Sequence, residues 1–245
     1  AFASLDTYWK KKISAFNVSS GSPHLDRMVN TWNVLNSQIA LERTRDISTD
    51  HMGFDGMRFR DTMQDAMAVA SFDAKFASER IKLVLSFQRR DGGGNFSFYP
   101  FSADKKVNLH PQRCDNSVWP IFTIDNLIRE TGDISFLDEI LPFYDGGEAS
   151  IAEHIFKGLL FIWNRRGKNG LPLLFDADWN DSLAIFADPN AESVMLGMQL
   201  LHAAKIFKNY CLLTNKTSWA KKCEKIAAEL FHILNSDKVW DGKWY

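Results

Sequence analysis

Three carboxylates, an amide and an indole fall within six consecutive residues, Asp176-Ala177-Asp178-Trp179-Asn180-Asp181. Such a stretch is costly to bury and unnecessary for packing, so it marks a candidate site. One reading is glycosidic-bond chemistry. A carboxylic acid beside an aromatic wall is partly desolvated, which raises its pKa and lets it hold a proton near neutral pH. That is the state needed to protonate a departing glycosidic oxygen. Trp179 would offer a flat face to a pyranose ring, and Asp178 and Asn180 would bond to hydroxyls. A calcium loop of D-x-D-x-N form is a second reading. It is weakened by Asp181 where an EF-hand loop needs Gly and by Ala187 where it needs Glu. The plainest reading is an Asx-turn with the indole tucked into the core.

Two further clusters carry charge. In Arg58-Phe59-Arg60-Asp61-Thr62-Met63-Gln64-Asp65 the two aspartates are four apart and project from one face of a helix start. Arg60 and the aspartates make fork-like bonds to vicinal sugar hydroxyls in one account. In the other the aspartates answer the helix dipole and Arg60 pairs with them. In Arg113-Cys114-Asp115-Asn116-Ser117-Val118-Trp119, Asp115 or Asn116 suits a helix N-cap and Trp119 suits a core. The six histidines are scattered and form neither HxH nor HExxH, which argues against a zinc enzyme. No GxSxG, GxxxxGK[ST] or GxGxxG occurs, which removes the corresponding hydrolase, nucleotide and dinucleotide readings. Gly92-Gly93-Gly94 reads as a helix stop rather than a phosphate cradle.

The elements that must position these residues are helical. Apolar residues at Leu25, Met28, Val29, Trp32, Leu35, Ile39 and Ala40 give an amphipathic helix from Leu25 to Arg45. Asp61 to Phe87 reads as one long second helix, and Asn116 to Glu130 as a third, closed by Thr131-Gly132. Ser135 to Tyr144 is expected as a short helix interrupted by Pro142. Glu148 to Arg166 is expected as a further helix, followed by a helix capped by Asn190 and running to Leu213. Ser218 to Leu234 is the last helix, with a short strand expected over Val239–Tyr245 and irregular chain over Phe96–Pro111. The 14 Gly and 7 Pro fall below average usage, which also favours long helices over many tight turns. The expected fold class is therefore all-α, and paired helices with alternating loop lengths suggest a partial (α/α)6 toroid. A closed toroid needs about twelve helices, roughly double what this length allows.

The clusters occur in a familiar order. Phe59-Arg60-Asp61-Thr62-Met63-Gln64-Asp65, Arg113 to Trp119, Thr131-Gly132-Asp133, Ala177 to Asp181 and Glu192-Ser193-Val194 resemble the inverting sugar phosphorylases of glycoside hydrolase family 94. The stretch around Asn30-Thr31-Trp32 resembles the first barrel helix of that family. The resemblance implies an (α/α)6 catalytic barrel whose N-terminal part is residues 25–245, with residues 1–24 as the end of a preceding helical linker. It implies Asp181 as general acid and Trp179 as a wall of the sugar site. Arg60, Asp61 and Asp65 would bind the transferred sugar, with Asp178, Asn180, Arg113 and Asp115 beside them. The implied reaction is phosphorolysis of a β-glucoside to an α-sugar 1-phosphate, with inorganic phosphate as co-substrate and no cofactor or metal. Phosphate is itself an anionic nucleophile, so one carboxylic acid suffices where an inverting hydrolase needs an acid and a base. A phosphate-independent glucan hydrolase or glucan-processing domain of the same fold, and a non-catalytic helical carbohydrate-binding fragment, are the alternatives. The sequence departs from the family at Asn116, where a second acid is usual. The family's phosphate-binding residues would fall beyond Tyr245, which leaves Arg43, Arg45 and Arg113 as the available cations.

Composition sets the outer limits. The 245 residues carry 29 Lys+Arg against 30 Asp+Glu, so no strong field draws the chain to nucleic acid or an anionic membrane. Apolar residues at 45% supply a core, and 8 Trp with 19 Phe suit either that core or a sugar cleft. Cys114, Cys211 and Cys223 show no paired spacing, which suits a reducing compartment, and a cytoplasmic location is expected. Ala1-Phe2-Ala3-Ser4-Leu5 has no leader-like pattern and no initiator Met, so the chain reads as a piece of a longer protein, expected to be a homodimer at full length.

Overall fold

The computed structural model describes residues 2–15, 17–43, 56–100, 104, 106–110, 112–186 and 188–245. The chain is mostly helical, as the periodicity requires, and is consistent with part of an (α/α)6 domain. Helix α1 spans Phe2–Ile13 and buries none of its residues. Next comes a continuous rod of α2 (Pro23–Arg27), a π-helical stretch (Met28–Asn33) and α3 (Val34–Arg43). Its start matches the periodic segment; Arg45 lies outside the described residues, as does the side chain of Arg43.

The expected single helix over Asp61–Phe87 is two helices, α4 (Phe59–Ala70) and α5 (Ala74–Leu85). The break falls at Ser71-Phe72-Asp73, where the Asp73 side chain accepts from the Phe76 amide and caps a new helix. The region expected to be irregular holds part of a small antiparallel sheet. β1 (Met57–Arg58) pairs with β2 (Ser97–Phe98), which pairs with β3 (Val107–Asn108), in register Met57↔Phe98 and Ser97↔Asn108. This sheet matters because it delivers the chain straight into the first turn of α4.

A 3₁₀ turn at Asn116–Val118 leads into α6 (Trp119–Thr131), which has Pro120 in its first turn and stops at Gly132 with φ 71°. Asp133 then caps a second 3₁₀ turn, Ile134–Asp138. The short helix expected over Ser135–Tyr144 is replaced by this turn and by β4 (Ile140–Pro142), paired with β5 (Glu148–Ser150). Proline at the strand edge costs no ladder bond there, whereas it would have broken a helix. The helix expected from Glu148 accordingly begins at α7 (Ile151–Trp163), where Ser150 caps the Glu153 amide.

α8 (Val194–Leu213) and α9 (Thr217–Leu234) form an antiparallel pair. Asn190 was the expected cap of α8; the cap is Ser193, whose hydroxyl accepts from the Leu196 amide. No strand forms over Val239–Tyr245. The core joins the inner faces of α4 to α9, with Phe59, Met63, Phe98, Ile121, Ile124, Ile155, Leu159, Leu200 and Phe207 almost fully enclosed. Cys114, Cys211 and Cys223 are all buried and free. Among the described residues no helix is long and apolar enough to cross a membrane.

Candidate active site

Four separate segments meet at one end of the helices: the first turn of α4, the 3₁₀ turn before α6, the loop 172–181 and the start of α8. Arg60 is the hub. Its Nη1 donates to Asp115 Oδ1 and Oδ2 at 3.2 and 3.4 Å and to the carbonyl of Asp178 at 3.2 Å. Its Nη2 donates to Asp181 Oδ1 and Oδ2 at 3.0 and 3.2 Å. One guanidinium thus ties together residues 55 and 121 positions away in sequence. Burial works against the Arg60 charge, but Asp115, Asp181 and Asp61 outweigh it and hold the group above its ordinary pKa.

Asp115 is fully enclosed, and burial pushes its carboxyl above the usual range, against Arg60 and the Trp119 indole, which donates Nε1–H at 2.9 Å. Trp119, expected as plain core, is therefore a polar partner as well. Its neighbour Asn116 donates Nδ2–H to the Asn95 carbonyl at 2.9 Å and braces the Gly94 loop. Burial also pushes the Cys114 thiol well above its ordinary range.

The loop that carries Asp178 to Asp181 is pinned on its entry side. Arg113 bridges both Phe175 and Ala177, the Cys114 amide donates to the Ala177 carbonyl at 2.9 Å, and the Gln112 amide donates to an Asp176 carboxylate oxygen. Phe175 takes φ 54°, a left-handed conformation that a bulky residue rarely adopts and that is tolerated here because both flanks are bonded. Asp178 is buried; its Oδ1 accepts from the Asn180 amide at 2.9 Å and its Oδ2 from the Ser193 hydroxyl at 2.7 Å. Asn180, exposed, turns its side-chain oxygen to the Ser182 amide at 3.2 Å and opens the 3₁₀ turn Asp181–Phe186. The Asx-turn reading was thus correct for the backbone of this loop. Its indole is not tucked away: Trp179 is 52% exposed.

The surroundings of Asp181 differ from the apolar wall expected for it. Half of its side chain is open to solvent, Arg60 holds it from one side, and Arg113 Nε lies 2.8 Å away on the other. Arg113 is itself nine-tenths enclosed, and its Nε–H is poorly aligned with the carboxylate, so that contact is an ion pair rather than a directed hydrogen bond. Arg58 and Arg113 both face the ring of Phe96, at 4.7 and 5.7 Å from its centre. Beside them Arg58, Arg60, Asp61, Phe96, Arg113 and Asn116 line a recess of about 10 Å³, the space of one water molecule.

The fold therefore gathers Arg60, Arg113, Asp115, Asp178 and Asp181, with Asp61 half-buried at the recess and Asp65 buried one turn further along α4. The carboxylates of Asp176, Asp178 and Asp181 turn to different partners, which is not how a calcium loop presents its ligands. Among the described residues no group of three or more His, Cys, Asp or Glu side chains converges as a metal site would require. Phe96 belongs to this neighbourhood without having been singled out, and Arg58 and Ser193, though they stand in the quoted motifs, were given no role there. A Ser directly before the apolar run from Val194 was the available signal for the last of them.

Residues 8–245 match the family described as the glycosyl hydrolase 94 superfamily, catalytic domain. An N,N'-diacetylchitobiose phosphorylase of Vibrio furnissii is 27% identical over 270 aligned positions, covering all of this chain and 33% of the relative. A solabiose phosphorylase of Paenibacillus borealis is 32% identical over 196 positions, covering 78% of this chain and 24% of the relative. The cyclic beta-(1,2)-glucan synthase NdvB of Rhizobium meliloti is 23% identical over 264 positions, which is 9% of its own length. The chain spans about a third of the length of the first two curated relatives it matches.

Proposed function

Because the chain belongs to the glycosyl hydrolase 94 superfamily, we propose that it is the N-terminal part of the catalytic barrel of an inverting β-glycoside phosphorylase. Residues 25–245 would be that part, and residues 1–24 the end of a linker, in keeping with a helix α1 that buries nothing. The observation that carries the reading is a half-open carboxylate, Asp181, held between Arg60 and Arg113, with Arg60 also bound to buried Asp115 and to the Asp178 carbonyl. Such a cluster is far more polar than packing needs, and it lies where paired-helix folds leave their loops free for chemistry.

In the proposed reaction Asp181 gives its proton to the glycosidic oxygen as the bond from that oxygen to the anomeric carbon breaks. A phosphate oxygen attacks that carbon from the opposite face, and the β-glycoside yields an α-sugar 1-phosphate and a free sugar. To act so, the Asp181 carboxylate must part from Arg113, rotate off Arg60 and take up a proton from solvent or from the incoming phosphate. Sugar hydroxyls are good acceptors for both guanidiniums, so binding of the transferred sugar supplies the exchange. Asp61 at the recess and Asp65 behind it would bond to the same sugar, and Trp179, half-exposed, would stack on a ring. Phosphate is the co-substrate and no cofactor is required.

The test is phosphate dependence in the full-length protein. Incubation with β-linked disaccharides should release sugar 1-phosphate only when phosphate is present, and the reverse reaction should release phosphate from α-sugar 1-phosphates. Reducing sugar produced equally with and without phosphate would favour the hydrolase alternative instead, for which Asp61 is the second carboxylate at hand.

A further inference from the structure

Ser193 lies at the foot of the cluster without lining the recess, yet it ties the loop of Asp178 to the start of α8. As the N-cap of α8 its hydroxyl oxygen accepts from the Leu196 amide at 3.0 Å, while its O–H donates to Asp178 Oδ2 at 2.7 Å. Its own amide donates to the Pro172 carbonyl at 2.8 Å. One hydroxyl therefore joins the rigid start of a 20-residue helix to a buried aspartate. From Asp178 the connection runs on. Its Oδ1 fixes the Asn180 amide, its carbonyl takes a bond from Arg60, and Asp181 follows three residues later. Glu192 makes a parallel strap, accepting from the amide and side chain of Asn169 at 2.9 and 2.7 Å.

We infer that Ser193 is a positioning residue for the general acid: it anchors Asp178 to the N-terminus of α8, and through Asp178 it sets where Asp181 stands relative to Arg60. The physical reason is the kind of donor Asp178 has. The donors seen on its carboxylate are the neutral Asn180 amide and Ser193 hydroxyl, and the group is almost wholly enclosed. A buried carboxylate oxygen that loses its donor turns or draws in water to recover one. Either response moves the three residues that carry the acid, and small displacements of a catalytic group are expensive in rate. The inference rests on Asp181 being the general acid, so its test includes a readout that does not.

Three variants separate the capping bond from the bond to Asp178. Ser193→Ala loses both. Ser193→Thr keeps both. Ser193→Asp keeps a good N-cap acceptor but sets a carboxylate against Asp178. In the full-length protein kcat for phosphorolysis should fall about 10- to 100-fold in Ser193→Ala and Ser193→Asp, with KM for the disaccharide within about 3-fold. The alkaline limb of the kcat–pH profile should move in those two variants, and Ser193→Thr should restore rate and profile. Hydrogen exchange gives the independent readout: the amides of Asn180 and Ser182 should exchange faster in Ser193→Ala and Ser193→Asp while those of α9 stay unchanged. If Ser193→Asp destabilises α9 as well, Asp178→Asn is read in its place, with the same loop-confined effect expected. Wild-type loop exchange in Ser193→Asp, or unaltered kcat in that variant, overturns the inference. An inactive wild type would instead sink the phosphorylase reading, and loop exchange would still decide whether Ser193 holds Asp178.

Discussion

Replacing Arg60 with Met removes the hub of the site while preserving most of its volume. The consequence can be worked out from its partners. Asp115 is fully enclosed and would keep only the Trp119 bond at 2.9 Å among its charged and indole donors. Breaking a buried pair by deleting one member costs about 3–5 kcal/mol, most of it the penalty of the stranded charge. The Asp181 contact adds little, because that side chain is half-exposed and its pairing is screened. Asp115 can escape the penalty by taking a proton, since burial already pushes its carboxyl upward. A group whose folded pKa is raised stabilises the fold at low pH and loses that contribution as pH rises through the folded value. The variant should therefore lose about 3 kcal/mol or more near pH 7.5 and markedly less near pH 5. Urea unfolding followed by tryptophan fluorescence at both pH values measures the difference, Trp119 being a reporter inside the site. Equal losses at the two pH values, or a loss below about 1 kcal/mol at pH 7.5, would refute the reasoning.

His154 gives a second pH test. It is fully enclosed, stacked on Phe143 at 4.0 Å, and faces Gln88 Oε1 at 2.7 Å and the Leu141 carbonyl at 3.2 Å, with Glu153 and Lys157 nearby. Burial holds it down at about 4 from the ordinary 6.5, so the folded protein keeps it neutral while the unfolded chain takes the proton. Stability should be intact above pH 6.5 and fall by about 3 kcal/mol between 6.5 and 4, a slope that His154→Leu should flatten in stepwise urea titrations. Gly92→Ala should destabilise by about 2 kcal/mol or more, because a Cβ there would lie 2.1 Å from the Lys157 carbonyl oxygen at φ +94°. Gly132→Ala, with open space at φ +71°, should cost only about 1 kcal/mol, and thermal midpoints of the pair measure the contrast.

The sequence carried the helices well where one face is apolar at regular spacing, as in α6, α7 and α9. It missed the break at Asp73 because the apolar pattern runs through it, while the Asp73 carboxylate accepts from the Phe76 amide and starts a new helix there. Asn190 and Ser193 are both plausible caps by type; the choice falls to Ser193 because Asp178, fifteen residues back, needs its hydroxyl. The small sheet of β1 to β3 could not be read from two-residue strands, whose pairing is set by neighbours rather than by alternation. The candidate site was legible as three polar clusters too costly to be filler. Their meeting at Arg60 was not, since nothing local in Arg60 distinguishes a partner of the neighbouring aspartates from a bridge over 121 residues.

Leaving-group dependence tests whether Asp181 protonates the departing oxygen, as proposed. In the full-length protein with phosphate present, Asp181→Asn should be compared with wild type on a natural β-disaccharide and on a 2,4-dinitrophenyl β-glycoside, whose phenolate departs without a proton. The disaccharide rate should fall by about 10² to 10⁴, and the dinitrophenyl rate by less than about tenfold. Equal losses on both substrates, or full activity on the disaccharide, would contradict the account.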